Sequence, residues 1–228
     1  FLKHKNTEPA NFPSVGGSEL KTMRRVTSSV SFLDMDLPIS TGDIASALLD
    51  DKGALRTKLA VLGTGAFSSG RHHFKPASYW ADQELGKAFK KFLERGGILF
   101  LGPAYSNREI LPEWLIHLTQ GGWEVDDTRD EAVPSKEGGR REGPALAELF
   151  GFVPGLAAGK VDHGLTAKGP QWASLVALSK NPGRSAVILQ KVGKGLLIRS
   201  ELRLEDSVQM LKSFLRPTFW TEVNSRLK

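Results

Sequence analysis

The chain has 228 residues, 40% of them apolar and 25% charged, with 24 Gly, 12 Pro and no Cys. This length and apolar content suffice for a full hydrophobic core and exclude a disordered chain. The missing cysteine excludes a disulfide scaffold, a zinc–thiolate site and any thiol nucleophile, and no apolar run approaches the ~18 residues of a membrane-spanning helix.

The net charge of +6 is unevenly spread along the sequence. Lys3, Lys5, Lys21, Arg24 and Arg25 outweigh Glu8 and Glu19 in residues 1–25, and Lys212, Arg216, Arg226 and Lys228 outweigh Glu222 in residues 212–228. The body between holds 22 basic and 22 acidic residues. Basic ends on a neutral body suit an anionic partner, nucleic acid or lipid, although the charges are too dilute for a polybasic motif. Because the chain opens on Phe1, it is expected to have lost a leader or to be part of something longer. Residues 1–30 hold no basic-then-apolar signal segment, and the sequence assigns no compartment.

In chain order, residues 1–25, broken by Pro9, Pro13 and Gly16-Gly17, read as an extended basic arm. The β-branched stretch at 26–33 predicts a strand. Ser40 or Thr41 caps a short helix carrying Ile44, Leu48 and Leu49 on one face. Lys58 to Leu62 predicts a buried strand closed by Gly63-Thr64-Gly65. From Trp80 to Arg95, Ala81, Leu85, Ala88, Phe89, Phe92 and Leu93 recur at helical spacing, and Gly96-Gly97 stops that helix. Ile98 to Gly102 is a second apolar strand. Ser106 and Glu109 have capping-box spacing for a helix burying Ile110, Trp114, Leu115 and Leu118, or Pro112 starts it later at Leu111. That helix ends at Gly121-Gly122, and Trp123 to Val125 form a short strand.

Residues 126–143, almost without apolar side chains, read as an exposed insertion. A short helix at Pro144 to Phe150 and an irregular stretch precede three strands: Ser174 to Leu178, Ser185 to Leu189 and Leu196 to Arg199. Lys191 to Gly195 reads as the hairpin turn between the last two. A helix from Leu204 to Leu215, with Val208, Leu211 and Leu215 inward, stops at Pro217 and leaves a basic tail at 217–228. No internal repeat is present. Short apolar strands alternating with amphipathic helices predict one α/β domain over residues 26–216, with a largely parallel sheet covered on both faces and a C-terminal antiparallel hairpin.

A helix leading into KLAVLGTG, an amphipathic helix closing on LERGGILFLGP, and SAVILQKVGKGLLIRSEL before a last helix carry a resemblance. Over roughly residues 41–216 the chain resembles the class I glutamine amidotransferase-like superfamily, especially its trehalose-utilisation-protein-like and sugar-hydrolase-associated members. His163-Gly164-Leu165-Thr166 looks like the His-Pro-Leu-Thr turn of such domains, with Gly164 in place of Pro. The resemblance implies a flavodoxin-like three-layer sandwich. Active members place a Cys on a strained turn after a central strand, with a His–Glu pair as its base. Here the turn reads Gly102-Pro103-Ala104-Tyr105-Ser106, and Ser106 is read as a helix cap. The late strand reads Arg199-Ser200-Glu201, which matches only the Glu. The resemblance therefore implies a pseudoenzyme, with no catalytic residue and no cofactor.

Open parallel sheets bind ligands beyond the carboxyl ends of their strands. The candidate ligand-binding residues there are Gly63, Thr64, Gly65, Ser69, Arg71, His72 and His73 in one loop, Tyr105 and Ser106 in another, and Glu201. The adjacent His72 and His73 point apart on an extended segment, so a metal would need His163, Asp162 or Glu201, and none is expected. Gly63-Thr64-Gly65 matches neither phosphate-binding fingerprint. His117 reads as a half-buried packing residue. No nucleic-acid-binding module is present, and Phe89, Phe92, Phe100, Trp114 and Phe214 fall on core faces. The expected function is a non-catalytic binding or architectural domain, working as an accessory module or with other protein subunits. Its rivals are a sugar-processing hydrolase of the trehalose-utilisation type, with a small sugar ligand, and a structural subunit of a ribonucleoprotein or membrane complex held by the basic ends.

Overall fold

The computed structural model describes residues 2–3, 15–27, 33–34, 40–63, 67, 81–104, 109–134, 143–153 and 156–226. Its strands are β1 (Leu2–Lys3), β2 (Leu33–Asp34), β3 (Leu59–Leu62), β4 (Ile98–Leu101), β5 (Trp123–Pro134), β6 (Gly159–Ala167), β7 (Ala173–Leu178), β8 (Ser185–Val192) and β9 (Gly195–Ser200). Its helices are α1 (Val15–Val26), α2 (Thr41–Leu48), α3 (Gln83–Glu94), α4 (Glu113–Leu118), α5 (Gly143–Leu149), α6 (Val208–Ser213) and α7 (Phe219–Arg226). Among the described residues no helix is long and apolar enough to cross a membrane.

One sheet runs in the order β2-β1-β3-β4-β9-β8-β6-β5-β7, and β7 also pairs with β8. The first five strands are parallel. From β9 onward every pairing is antiparallel, and β8, β6, β5 and β7 close on themselves as a four-strand barrel. The expected flavodoxin-like sandwich with a largely parallel sheet is therefore wrong: antiparallel pairing dominates, and the hairpin opens a barrel instead of ending the sheet. Apolar runs such as LAVL and SAVIL look alike in parallel and antiparallel surroundings, because both are buried on two faces.

The barrel was hidden by its polar strands. Of the exposed insertion expected at 126–143, residues 126–134 instead continue β5, with Asp130 and Ala132 buried and Asp127, Arg129 and Glu131 exposed; Gly143 opens α5, and residues 135–142 lie outside the described residues. The buried Asp130 carboxylate accepts hydrogen bonds from Ser179 Oγ at 2.7 Å, Lys180 N at 3.0 Å and Glu131 N at 2.7 Å. The stretch His163 to Thr166, expected as a turn, lies inside β6, where His163 pairs across to Asp127.

Side chains alternate across the parallel strands. Val61, Ile98, Phe100, Leu196 and Ile198 pack on one side with α1 and α6, while Leu62, Leu99, Leu101 and Leu197 pack on the other with α2 and α3. Helix α2 starts at a complete capping box: Ser40 Oγ accepts from Asp43 N at 3.1 Å, and the Asp43 carboxylate accepts from Ser40 N at 2.8 Å. The β8–β9 hairpin turns on Gly193 with φ +60°, a left-handed conformation that glycine supplies at low cost.

The described helices near both ends pack on the core. The arm expected at 1–25 carries α1, whose Met23 and Val26 enter the core. The tail expected at 217–228 carries α7, whose buried Phe219 packs edge-on to Phe150 at 5.5 Å and Phe214 at 5.4 Å. Helical spacing wins in both because it buries an apolar stripe. Of the strand expected at 26–33, Val26 instead ends α1 and Leu33 opens β2; residues 28–32 lie outside the described residues. Ile110 and Leu215, expected inward, are exposed, as is His117, which faces Glu113 one turn away at 3.4 Å.

Candidate functional site

Strands β4 and β9 lie side by side with Leu101 opposite Arg199. Arg199 is the charged residue of an otherwise apolar run, and no part of its side chain reaches solvent. A buried guanidinium is costly unless its donors are matched; here both terminal nitrogens are matched, while Nε has no hydrogen-bond partner among the described residues. One terminal nitrogen, Nη1, donates to the carbonyls of Gly102 and of Ser200, the latter at 2.7 Å. The other, Nη2, donates to Glu109 Oε1 at 3.1 Å and to Glu201 Oε1. The guanidinium carbon also lies 5.7 Å from the centre of the Trp123 ring, within cation–π range.

Both carboxylates are held from a second side. Glu109 Oε2 accepts from Trp123 Nε1 at 2.7 Å, and Glu201 Oε2 accepts from Ala104 N at 3.1 Å. His163 Nδ1 lies 3.6 Å from Glu201 Oε2, while its Nε2 lies 3.4 Å from Asp127 Oδ1 at the surface. Burial pushes the Glu109 carboxyl above its usual range; Arg199 opposes the shift and Glu201 adds to it. The hydrogen bond to Glu201 pushes the His163 imidazole up, and burial opposes that. Two carboxylates against one guanidinium leave one surplus negative charge, and both shifts act to cancel it.

Of the residues expected to bind ligand, Glu201 lies in this cluster and Gly63 directly follows β3, two strands from β9. Thr64, Gly65, Ser69, Arg71, His72, His73, Tyr105 and Ser106 lie outside the described residues. Glu109, expected at a capping-box position, instead faces Arg199. The sequence reading missed Arg199, Glu109 and Trp123 as partners, and placed His163 in a turn. The one available signal was an arginine inside GLLIRS, where a lone charge in an apolar strand demands buried partners. Among the described residues no group of three or more His, Asp or Glu side chains is arranged to hold a metal ion. Arg199 occupies the space between the two glutamates, where a cation would have to sit.

No family model and no curated protein matches the sequence. Solved structures that are similar include a β-galactosidase from Rahnella sp. R3, at 13% identity and a TM-score of 0.41, covering 74% of this chain and 23% of that one. An exo-β-1,4-mannosidase from Opitutaceae bacterium strain TAV5 is similar at 13% identity and a TM-score of 0.44, over 97% of this chain and 33% of that one. A cytoplasmic protein from Salmonella typhimurium is similar at 11% identity and a TM-score of 0.48, over 89% of this chain and 87% of that one. The chain thus spans about a quarter to a third of the length of these two glycosidases.

Proposed function

We propose that the protein is a non-catalytic binding or architectural domain. The observation that supports this reading is how the buried cluster spends its charges. Arg199 ties the main chain after β4, through Gly102, to the main chain at the end of β9, through Ser200. Glu201 ties the same two segments again through Ala104 N. A catalytic carboxylate needs a lone pair or proton free to face a substrate. Here both carboxylates are buried, Glu109 at 6% and Glu201 at 1% side-chain exposure, and both share Arg199, which turns them inward instead of toward solvent. The cluster braces the rim of the sheet so that its loops are carried on a rigid frame.

The test is an activity panel on the purified chain, using nitrophenyl glycosides and glutamine, alongside the His163→Gln variant. The expected result is no turnover above the enzyme-free rate in either protein. Turnover that disappears in His163→Gln would overturn the reading, because His163 is the cluster's partly exposed base.

A further inference from the structure

At the other end of the parallel strands, where β3, β4 and β9 begin, lies a cavity of about 450 Å³ lined by Leu55, Lys58, Arg95, Gly96, Lys191, Gly193, Lys194, Trp220 and Asn224. Its size falls within the ~300–1,000 Å³ of small-molecule sites. Four of the lining residues are cationic, and among the described residues no carboxylate lines it. These four lie in the part of the sequence that holds 22 basic and 22 acidic residues, so charge that balances along the chain separates in space. The nearby acid, Glu94, packs its backbone beside Gly193 and faces Lys90 at 3.9 Å. The carbonyls of Lys91, Phe92 and Leu93, which would repel an anion at the end of α3, already accept from Arg95, Gly97 and Gly96.

The cavity has a second kind of wall. Trp220 is half-buried and stands edge-on to Phe219 at 5.5 Å. Asn224 lies four residues further along α7, on the same helix face, and lines the cavity with it. An aromatic ring, an amide on the same helix and cations lining one cavity match the three parts of a nucleotide: base plane, base edge and phosphate. We propose that this cavity binds a nucleoside phosphate, free or as one link of a single strand. The phosphate lies among Lys58, Arg95 and Lys194, and the base stacks on Trp220. The site is independent of the cluster at the other end of the sheet and stands whether or not that cluster proves catalytic.

The test is fluorescence anisotropy with a labelled oligouridylate of about ten nucleotides at about 50 mM salt, with ADP and pyrophosphate as competitors. The expected result is binding that weakens with added salt and falls roughly tenfold or more in Arg95→Glu and Lys194→Glu, with unchanged circular dichroism. Trp220→Leu should weaken it by about tenfold, the loss of one stacked base. ADP should displace the tracer better than pyrophosphate if the free nucleotide fits; oligomer binding that ADP does not compete assigns the site to a strand. Equal competition by ADP and pyrophosphate would overturn the role of Trp220. No binding of any probe would overturn the site, as would binding that persists in Lys194→Glu or is lost instead in Arg24→Ala/Arg25→Ala on α1.

Discussion

Arg199 and Glu109 stand ninety residues apart in the sequence and meet at 3.1 Å beneath the surface, the arginine fully buried and the glutamate nearly so. Glu109 has no regular element of its own to hold it; its neighbour Ile110 donates to Phe67 O at 2.8 Å, which pins that segment to the chain beyond β3. The pair therefore joins the connections that follow β3, β4 and β9.

Replacing Arg199 removes the one cation that both buried glutamates share. Arg199→Met should lower unfolding stability by about 3–5 kcal/mol, the usual result of stranding a buried charge. Arg199→Lys should recover little of this, because an ammonium cannot reach two carbonyls and two carboxylates from one planar fork. Urea unfolding followed by circular dichroism measures both.

The His163 imidazole titrates above its free value near 6.5 because Glu201 holds its protonated form. A raised basic group stabilises the fold fully below its unfolded pKa, and that contribution disappears as pH rises through the folded one. The raised Glu109 carboxyl acts in the same sense at lower pH, since its ionised form is the one the fold disfavours. Melting temperature should fall as pH rises from the region below His163's unfolded pKa to mildly alkaline values. His163→Gln should flatten that fall; an unchanged slope would show that another group carries it.

Gly195 opens β9 directly beneath the last turn of α3. A methyl group there would press on the carbonyls of Gly97 and Leu93 and lie 2.8 Å from Leu93 Cα. These are backbone atoms and cannot rotate aside. Gly195→Ala should destabilise by about 1–3 kcal/mol, the usual cost of overpacking, whereas Gly183→Ala, in the β7–β8 connection, should cost little. Thermal melts of the two variants give the comparison.

Phe150 is fully buried and meets Phe214 at 5.8 Å as well as Phe219, so it clamps α5 to the two C-terminal helices. Phe150→Ala should cost about 3–5 kcal/mol. Because α7 carries Trp220 and Asn224, the same variant should loosen the basic cavity, read as faster amide exchange in residues 219–226.

The sequence was legible wherever one local pattern had one outcome. Helix α3, its glycine stop, the strands β3 and β4, and the glycine hairpin between β8 and β9 follow from periodicity and turn chemistry over a dozen residues. Strand β5 was not legible, because Asp126, Asp127, Arg129 and Asp130 read as solvated loop until β6 and β7 supply partners for the backbone and for Asp130. The ends misread for a related reason: counting charge along 1–25 and 217–228 hides the apolar stripes of α1 and α7, which matter only once a core exists to receive them.

By itself the sequence determined that this chain has no thiol, that α3 and the apolar strands flanking it form, and that a glycine turn joins the last two strands. Whether strands pair parallel or antiparallel, which glutamates share Arg199, and where four cations gather were decided only by tertiary structure. The reason is range. Periodicity and capping act between residues three or four apart, whereas strand partners and buried ion pairs depend on which distant segments the closed sheet brings within a few ångströms.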